Sequence, residues 1–187
     1  MTPEAATDAS PWLQRFAHLL PAGARVLDLA CGSGRNLRWL AAHGHQVTGV
    51  DRDEAAVAPL RTQAEIIVAD LETGPWPLAE RRFDLVLVTR YLWRPLLPRI
   101  LLAVAEGGLL IYETFADGQQ TLGRPARSDF LLQPGELLQA CAGLRVIAYE
   151  DGFVAGSTPC YLQRIVAARN PAPHARFLLP GSAPPGG

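Results

Sequence analysis

The order of a strand, a glycine turn and a helix between Val26 and Gly44 constrains the fold more than any other feature of this sequence. Val26 to Leu29 is a short apolar run that leads into a turn containing Gly32 and Gly34, and the apolar residues that follow recur at helical spacing. A helix that begins directly after a strand points its free backbone N–H groups into the crevice above the sheet. Ligands of open α/β sheets bind in that crevice.

Acidic residues stand on the first two predicted strands. Asp28 lies near the end of the first, and Asp51 ends the second, seventeen residues after Gly34. An acid at the tip of the second strand is placed to accept hydrogen bonds from the vicinal hydroxyls of a ribose. The glycine turn, the helix and this acid together predict a nucleoside-bearing cofactor.

The spacing of the glycines argues against a nicotinamide or flavin dinucleotide. Such cofactors call for a third glycine three residues after Gly34, and Leu37 stands there. A Gly-Lys-Ser/Thr sequence that would cradle nucleotide phosphates is also missing. A dehydrogenase is therefore disfavoured.

The sequence Asp-Leu-Ala-Cys-Gly-Ser-Gly at 28–34 resembles the cofactor loop of class I S-adenosylmethionine-dependent methyltransferases, although Ala30 stands where many members have a glycine. The resemblance implies S-adenosylmethionine as the cofactor. Its ribose would lie at Asp51, and its adenine amine near an acid after the third strand, Asp70. The implied cofactor-binding residues are Asp28, Ala30, Cys31, Gly32, Gly34, Asn36, Asp51, Arg52, Asp70 and Leu71.

Strand and helix patterns alternate along the rest of the chain. They predict an α/β fold, a Rossmann-like three-layer sandwich with a mostly parallel seven-stranded sheet. The last two strands are separated by too few residues for a helical crossover, so we expect an antiparallel hairpin. The predicted strands are 26–29, 46–50, 66–69, 83–88, 109–114, 144–150 and 159–168, and the helices that we predict besides the one after the glycine turn are 11–20, 54–64, 98–105 and 134–140.

Three further stretches, 89–97, 107–115 and 123–137, look like those of small bacterial methyltransferases related to the tellurite-resistance type. In that group the chain passes from the fifth strand through a polar loop to a Gly-Glu-Leu helix. The resemblance covers roughly residues 10–168.

Length and composition set the class of protein. The chain has 187 residues and a net charge of −1, without a basic run, an apolar stretch of membrane-spanning length or a signal peptide. We expect one methyltransferase domain (1–169, with an N-terminal lid helix at 10–20) and a Pro/Gly-rich tail (170–187). Cys31, Cys141 and Cys160 lack metal-binding spacing and suit free thiols in the cytoplasm. We expect no metal, nucleic acid or membrane partner, and leave the oligomeric state open.

Candidates for the acceptor pocket follow the fourth and fifth strands: Arg90, Tyr91, Trp93, Glu113 and Phe115, with Arg124 and Arg127 on the next loop and Trp12 as part of a lid. The three arginines favour a small anionic or oxyanion-bearing acceptor. Transfer of a methyl group from a sulfonium is an in-line displacement that needs positioning but no protein nucleophile, so the catalytic residues and any general base stay unassigned.

The sequence therefore predicts an S-adenosylmethionine-dependent methyltransferase that acts on a small molecule. The alternative is a non-catalytic S-adenosylmethionine-binding module that serves as a partner subunit or sensor. The sequence identifies neither the acceptor nor the atom that is methylated.

Overall fold

A computed structural model describes residues 9–181, and a mixed seven-stranded sheet forms its centre. The strand order is β3-β2-β1-β4-β5-β7-β6, with β1 to β5 parallel to one another and β7 antiparallel to both of its neighbours. This confirms the predicted fold and its terminal hairpin. The strands are β1 (Arg25–Leu29), β2 (Gln46–Asp51), β3 (Glu65–Val68), β4 (Phe83–Thr89), β5 (Val104–Phe115), β6 (Arg145–Val154) and β7 (Cys160–Ala168).

Five short α-helices connect or flank the strands within the described residues: α1 (Pro11–Phe16), α2 (Arg35–Ala42), α3 (Glu54–Val57), α4 (Leu97–Ala103) and α5 (Glu136–Ala140). Ser10 caps α1, since its hydroxyl oxygen accepts hydrogen bonds from two backbone N–H groups of the first turn. A 3₁₀ segment (Ala58–Thr62) follows α3, where the sequence predicts one continuous helix over 54–64. Pro59 accounts for the difference, because proline has no N–H for the helical hydrogen bond.

Apolar side chains pack on both faces of the sheet and give three layers. On one face, Leu27, Val86 and Leu110 contact a cluster that includes Ile100 of α4 and Leu137 of α5. On the other face, residues of β1, β4 and β5 that alternate with these pack with α1, α2 and α3, as the two-residue period of a strand requires. The largest fully buried side chain of the second cluster is Trp12 of α1.

The carboxyl ends of the central strands form one edge, and the site lies there. β1 lies between β2 and β4, so the chain order reverses at this point of the sheet. Thr89 at the end of β4 pairs with Glu113 near the end of β5. Open α/β sheets bind ligands at such a reversal.

Strand β5 is longer than predicted. It begins at Val104, where we expect the end of a helix, and α4 ends at Ala103. The pairing with β4 shifts register between Phe83 and Leu85. Glycine at position 108 lets β5 lie close to the start of β4 here, because a Cβ there would lie 3.0 Å from the carbonyl oxygen of Phe83.

The described part of the tail contains neither a helix nor a strand and lies against the body of the protein. The backbone carbonyl of Leu178 lies 2.9 Å from a ring nitrogen of His18, and the Arg145 guanidinium donates to the carbonyl of Ala175 over 3.1 Å. The ends of the predicted domain and tail, 1–8 and 182–187, lie outside the described residues. Between residues 9 and 181, no helix has the length and apolar character needed to cross a membrane.

Candidate active site

The glycine turn between β1 and α2 is built from left-handed backbone conformations. Ala30, Gly32 and Gly34 have φ angles of +53°, +53° and +78°. Gly34 is the N-cap of α2, and no side chain hydrogen-bonds the first turn of this helix as a cap. The first N–H groups of a helix have no partner within the helix, and they carry the positive end of its dipole. The turn therefore presents donors suited to an anionic group.

The carboxylate of Asp51 ties this turn to the end of β2. Its Oδ2 accepts a hydrogen bond of 2.7 Å from the backbone N–H of Gly32, and its Oδ1 accepts one of 3.0 Å from the N–H of Asp53. A carboxylate has about four acceptor positions, so two remain for a ligand.

Asp28 lies beneath the turn as a buried carboxyl group. It is 1% exposed, and neither of its side-chain oxygens has a hydrogen-bond partner in the described part of the chain. Burial raises the pKa of Asp28 to about 7, against the smaller opposing effects of the Arg35 guanidinium and the Leu37 backbone N–H. An unsatisfied buried carboxylate is costly, so this group favours a nearby cation or a proton.

A cavity of about 150 Å³, which we call the Asp51 cavity, opens beside the turn. Its lining includes Ala30, Asp51, Arg52, Asp70, Leu71 and Tyr91. The Asp70 carboxylate also holds its own loop, because it accepts hydrogen bonds from the Glu72 and Thr73 backbone N–H groups and from the Thr73 hydroxyl. These bonds, that of Glu72 first, lower the pKa of Asp70.

A second cavity, of about 320 Å³, lies beyond the ends of β4, β5 and β7, and we call it the arginine cavity. Its lining brings together four arginines and one acid, Arg35, Arg90, Arg124, Arg164 and Glu113, and also includes Phe115 and Cys160. The structure thus assembles Arg90, Glu113, Phe115 and Arg124 of the predicted acceptor pocket. The volume is at the lower end of the range for small-molecule sites, roughly 300–1,000 Å³.

The arginines of this cavity differ in their partners. Arg164 pairs with Glu150, with Nε 2.7 Å from Oε2. In contrast, the guanidinium groups of Arg90 and Arg124 form no hydrogen bond or ion pair within residues 9–181. Burial and the neighbouring charge of Arg90 lower the pKa of Arg35. Positive charge therefore exceeds negative charge in the wall of this cavity.

A third cavity, of about 260 Å³, has lining residues in common with each of the other two. It shares Glu72 and Tyr91 with the Asp51 cavity, and Arg90, Thr114 and Phe115 with the arginine cavity. The hydroxyl of Tyr91 is buried without a hydrogen-bond partner among the described residues, and burial raises its pKa to about 12. The three cavities therefore lie side by side along the carboxyl edge of the sheet, and we call this row of cavities the crevice.

Several predicted site residues lie elsewhere. Tyr91 lines the Asp51 cavity rather than the arginine cavity, and Trp93 packs against the core. Trp12 is 1% exposed, with its indole N–H directed to the Ile165 carbonyl, so it is a core residue and not part of a lid. Arg127 is exposed and pairs with Asp129 over 2.7 Å.

The turn residue Cys31 is half-buried against the core, and its backbone N–H donates to the Val50 carbonyl over 3.1 Å. Burial raises the pKa of its thiol, and the nearby carboxylates add to this effect. A thiol in this state is a poor nucleophile. The carboxamide of Asn36 accepts a hydrogen bond from the Ser10 backbone N–H and donates one to the Thr89 hydroxyl.

Arg35, Cys160 and Arg164 line the arginine cavity although we do not predict them as acceptor-pocket residues. Arg164 gives the clearest sequence signal, because it is the charged residue of a mostly apolar strand. Burial raises the pKa of Cys160. Across the described ranges, no group of three or more His, Cys, Asp or Glu side chains is arranged to hold a metal ion.

Comparisons with known proteins agree with this geometry. Residues 26–107 match the family described as "Methyltransferase domain". Over 101 residues the chain is 37% identical to trans-aconitate 2-methyltransferase of Variovorax paradoxus (strain S110), an alignment that covers 49% of this chain and 38% of that protein. The chain thus spans well under half of the length of this curated relative.

Two solved structures share the fold. TehB from Haemophilus influenzae has a TM-score of 0.70 at 17% identity, over 89% of this chain and 64% of that one. A TehB-like SAM-dependent methyltransferase from Corynebacterium glutamicum has a TM-score of 0.65 at 23% identity, over 88% and 90% of the two chains.

Proposed function

We propose that this chain, which belongs to the class I S-adenosylmethionine-dependent methyltransferases, transfers a methyl group to a small anionic acceptor. The observation that carries the proposal is the row of adjacent cavities that runs from the Asp51 cavity to the arginine cavity. A crevice of this form can hold a nucleoside cofactor at one end and an acceptor at the other.

The residues of the turn fit S-adenosylmethionine. The two remaining acceptor positions of Asp51 suit the ribose hydroxyls, and the buried, unsatisfied carboxyl of Asp28 suits the ammonium of the amino-acid head. The N-terminal N–H groups of α2 suit the head's carboxylate. When bound, this cofactor supplies an electrophilic methyl group on a sulfonium.

The residues in the acceptor half of the crevice suit an anionic acceptor. Arg90 and Arg124 are the wall residues whose guanidinium groups have no partner within residues 9–181, and two such groups suit carboxylate or another oxyanion. Trans-aconitate, in the name of one relative, is such a carboxylate. Phe115 adds an apolar surface to the same wall.

The residues of this chain position the acceptor and do not act as a nucleophile. Holding the acceptor in line with the methyl group can supply a large part of the rate enhancement, about 7–11 kcal/mol in favourable cases. Glu113, which is 9% exposed, is the acidic side chain in the wall of the arginine cavity and the candidate to accept a proton from a protonated acceptor.

An assay of S-adenosylhomocysteine formation tests this proposal. The acceptors are a panel of small carboxylates and other oxyanions, with their neutral amides and esters as matched controls. We expect product with at least one anion and none with its neutral counterpart. Turnover only with neutral acceptors would contradict the anionic class. S-adenosylhomocysteine binding without any turnover would favour the non-catalytic module. The cytoplasmic location and the division into domain and tail stay predictions.

A further inference from the structure

The carboxamide of Asn36 joins three elements that surround the crevice. Asn36 is the second residue of α2 and is 2% exposed. Its Oδ1 accepts a hydrogen bond of 2.9 Å from the backbone N–H of Ser10, just before α1. Its Nδ2 donates one of 2.9 Å to the hydroxyl oxygen of Thr89 at the end of β4. One side chain therefore holds the start of α1 and the end of β4 against α2.

Each of the three groups in this network is adjacent in sequence to a residue of the arginine cavity. Pro11 follows Ser10, Arg35 precedes Asn36, and Arg90 follows Thr89. The network itself lies behind the wall, since Ser10, Asn36 and Thr89 are not among the lining residues of that cavity. A shift of any of these three residues therefore moves its neighbour in the wall through one peptide unit.

Of the three wall residues next to the network, Arg90 has the strained backbone conformation. Its φ angle is +56°, a left-handed conformation that is costly for a residue other than glycine. Its backbone N–H donates to the Glu113 carbonyl over 2.9 Å. The hydrogen bond from Asn36 to Thr89 holds the preceding residue, so both residues of the peptide unit that leads into this strained conformation are held.

We propose that Asn36 is a positioning residue, which sets the wall of the arginine cavity relative to the glycine turn through Ser10 and Thr89. This inference rests on the proposed function, since it assigns a role in acceptor recognition. Asn36 does not contact the acceptor. Its loss lets Arg90 and Pro11 move, and the acceptor is then held less well.

Paired substitutions at Thr89 test the inference without changing Asn36. Thr89→Val keeps the side-chain shape and removes the hydroxyl that accepts the Asn36 hydrogen bond, whereas Thr89→Ser keeps the hydroxyl. We expect Thr89→Val to raise the acceptor KM roughly tenfold, the effect of one lost buried hydrogen bond. We expect kcat and the Kd of S-adenosylhomocysteine to change less than about threefold, and Thr89→Ser to resemble the wild type. Asn36→Leu, which removes both bonds, should exceed Thr89→Val in its effect on KM.

Amide hydrogen exchange gives a readout that does not depend on activity. In Thr89→Val the Arg90 amide should exchange at least about tenfold faster than in Thr89→Ser. The Val86 amide in the middle of the same strand should be unchanged. Equal Arg90 exchange in the two variants would overturn the inference, whether or not an acceptor is known. Absence of turnover in the wild type would instead refute the proposed function and leave the exchange result to decide on Asn36.

Discussion

The backbone N–H of Gly32 donates a hydrogen bond of 2.7 Å to Oδ2 of Asp51. This bond joins the glycine turn after β1 to the acid at the end of β2, and the two residues are nineteen positions apart in the chain. The turn is thus held in place by the same carboxylate that we predict to bind a ribose. Pre-organisation of this kind lowers the entropic cost of binding.

Substitution of Asp51 should weaken cofactor binding. Asp51→Ala removes the acceptor for the ribose hydroxyls and the anchor of Gly32, so we expect a loss of about 1.5–3 kcal/mol, the scale of hydrogen bonds to a charged group. Calorimetric titration with S-adenosylhomocysteine measures it. Asp53→Ala is the matched control, because Asp53 caps α3 through the Ala56 N–H. Equal affinities of the two variants would refute the ribose assignment.

Gly34 should tolerate a side chain less well than Gly23. Both have positive φ angles, +78° and +68°, so alanine is strained at either position. Only at Gly34 would the new Cβ meet a neighbour, 2.5 Å from Cδ1 of the buried Leu60. We expect Gly34→Ala to lower the free energy of unfolding by about 1–3 kcal/mol more than Gly23→Ala. Urea unfolding of the two variants compares them, and equal losses would show that Leu60 gives way.

The buried carboxyl of Asp28 should make stability fall as pH rises towards neutrality. Its pKa is about 7 in the folded protein against an ordinary 3.8, so between these values the folded state holds a proton that the unfolded state releases. The free energy of unfolding then decreases from about pH 4 to about pH 7 and is constant above. The full contribution is on the order of 4 kcal/mol.

Comparison with Asp28→Asn isolates this effect, because the other titrating groups are common to both proteins. The stability of Asp28→Asn relative to the wild type should increase from pH 4 to pH 7 in urea unfolding without ligand. Parallel pH profiles of the two proteins would mean that Asp28 does not titrate in this range.

Removal of either unpartnered arginine of the arginine cavity should weaken acceptor recognition. Arg90→Ala and Arg124→Ala each delete a guanidinium group from its wall, so we expect the acceptor KM to rise about tenfold or more. Arg127→Ala removes the same charge from an exposed position paired with Asp129 and should leave KM within about twofold. Steady-state kinetics at saturating cofactor provide the values. An unchanged KM in both cavity variants would exclude the anionic acceptor.

The cofactor half of the site could be predicted from sequence because its parts are close together in the chain. A strand, a turn and a helix set the positions of Asp28, Gly32 and Gly34, and the next strand ends at Asp51. The carboxyl ends of neighbouring parallel strands meet at one edge of the sheet, so the ends of these two strands are expected to lie side by side. The hydrogen bond between Gly32 and Asp51 follows from that alignment.

The acceptor half depends on long-range register, which sequence does not give. Arg164 lies beside Glu113 because β7 pairs with β5 in one antiparallel register, and a shift of one residue would move its side chain to the other face. The predicted start of β5 was also wrong, because a short apolar run such as that around Val104 fits the end of a helix as well as the start of a strand. The position of Trp12 is set by packing against β7, which residue type alone does not reveal.

Titration of the purified protein with S-adenosylhomocysteine, with NADH as the control ligand, tests the cofactor assignment most directly. We predict micromolar binding of S-adenosylhomocysteine and no binding of NADH, since Leu37 replaces the third glycine of a dinucleotide turn. A folded sample that does not bind S-adenosylhomocysteine would contradict the assignment of the Asp51 cavity, and with it the proposed methyl transfer.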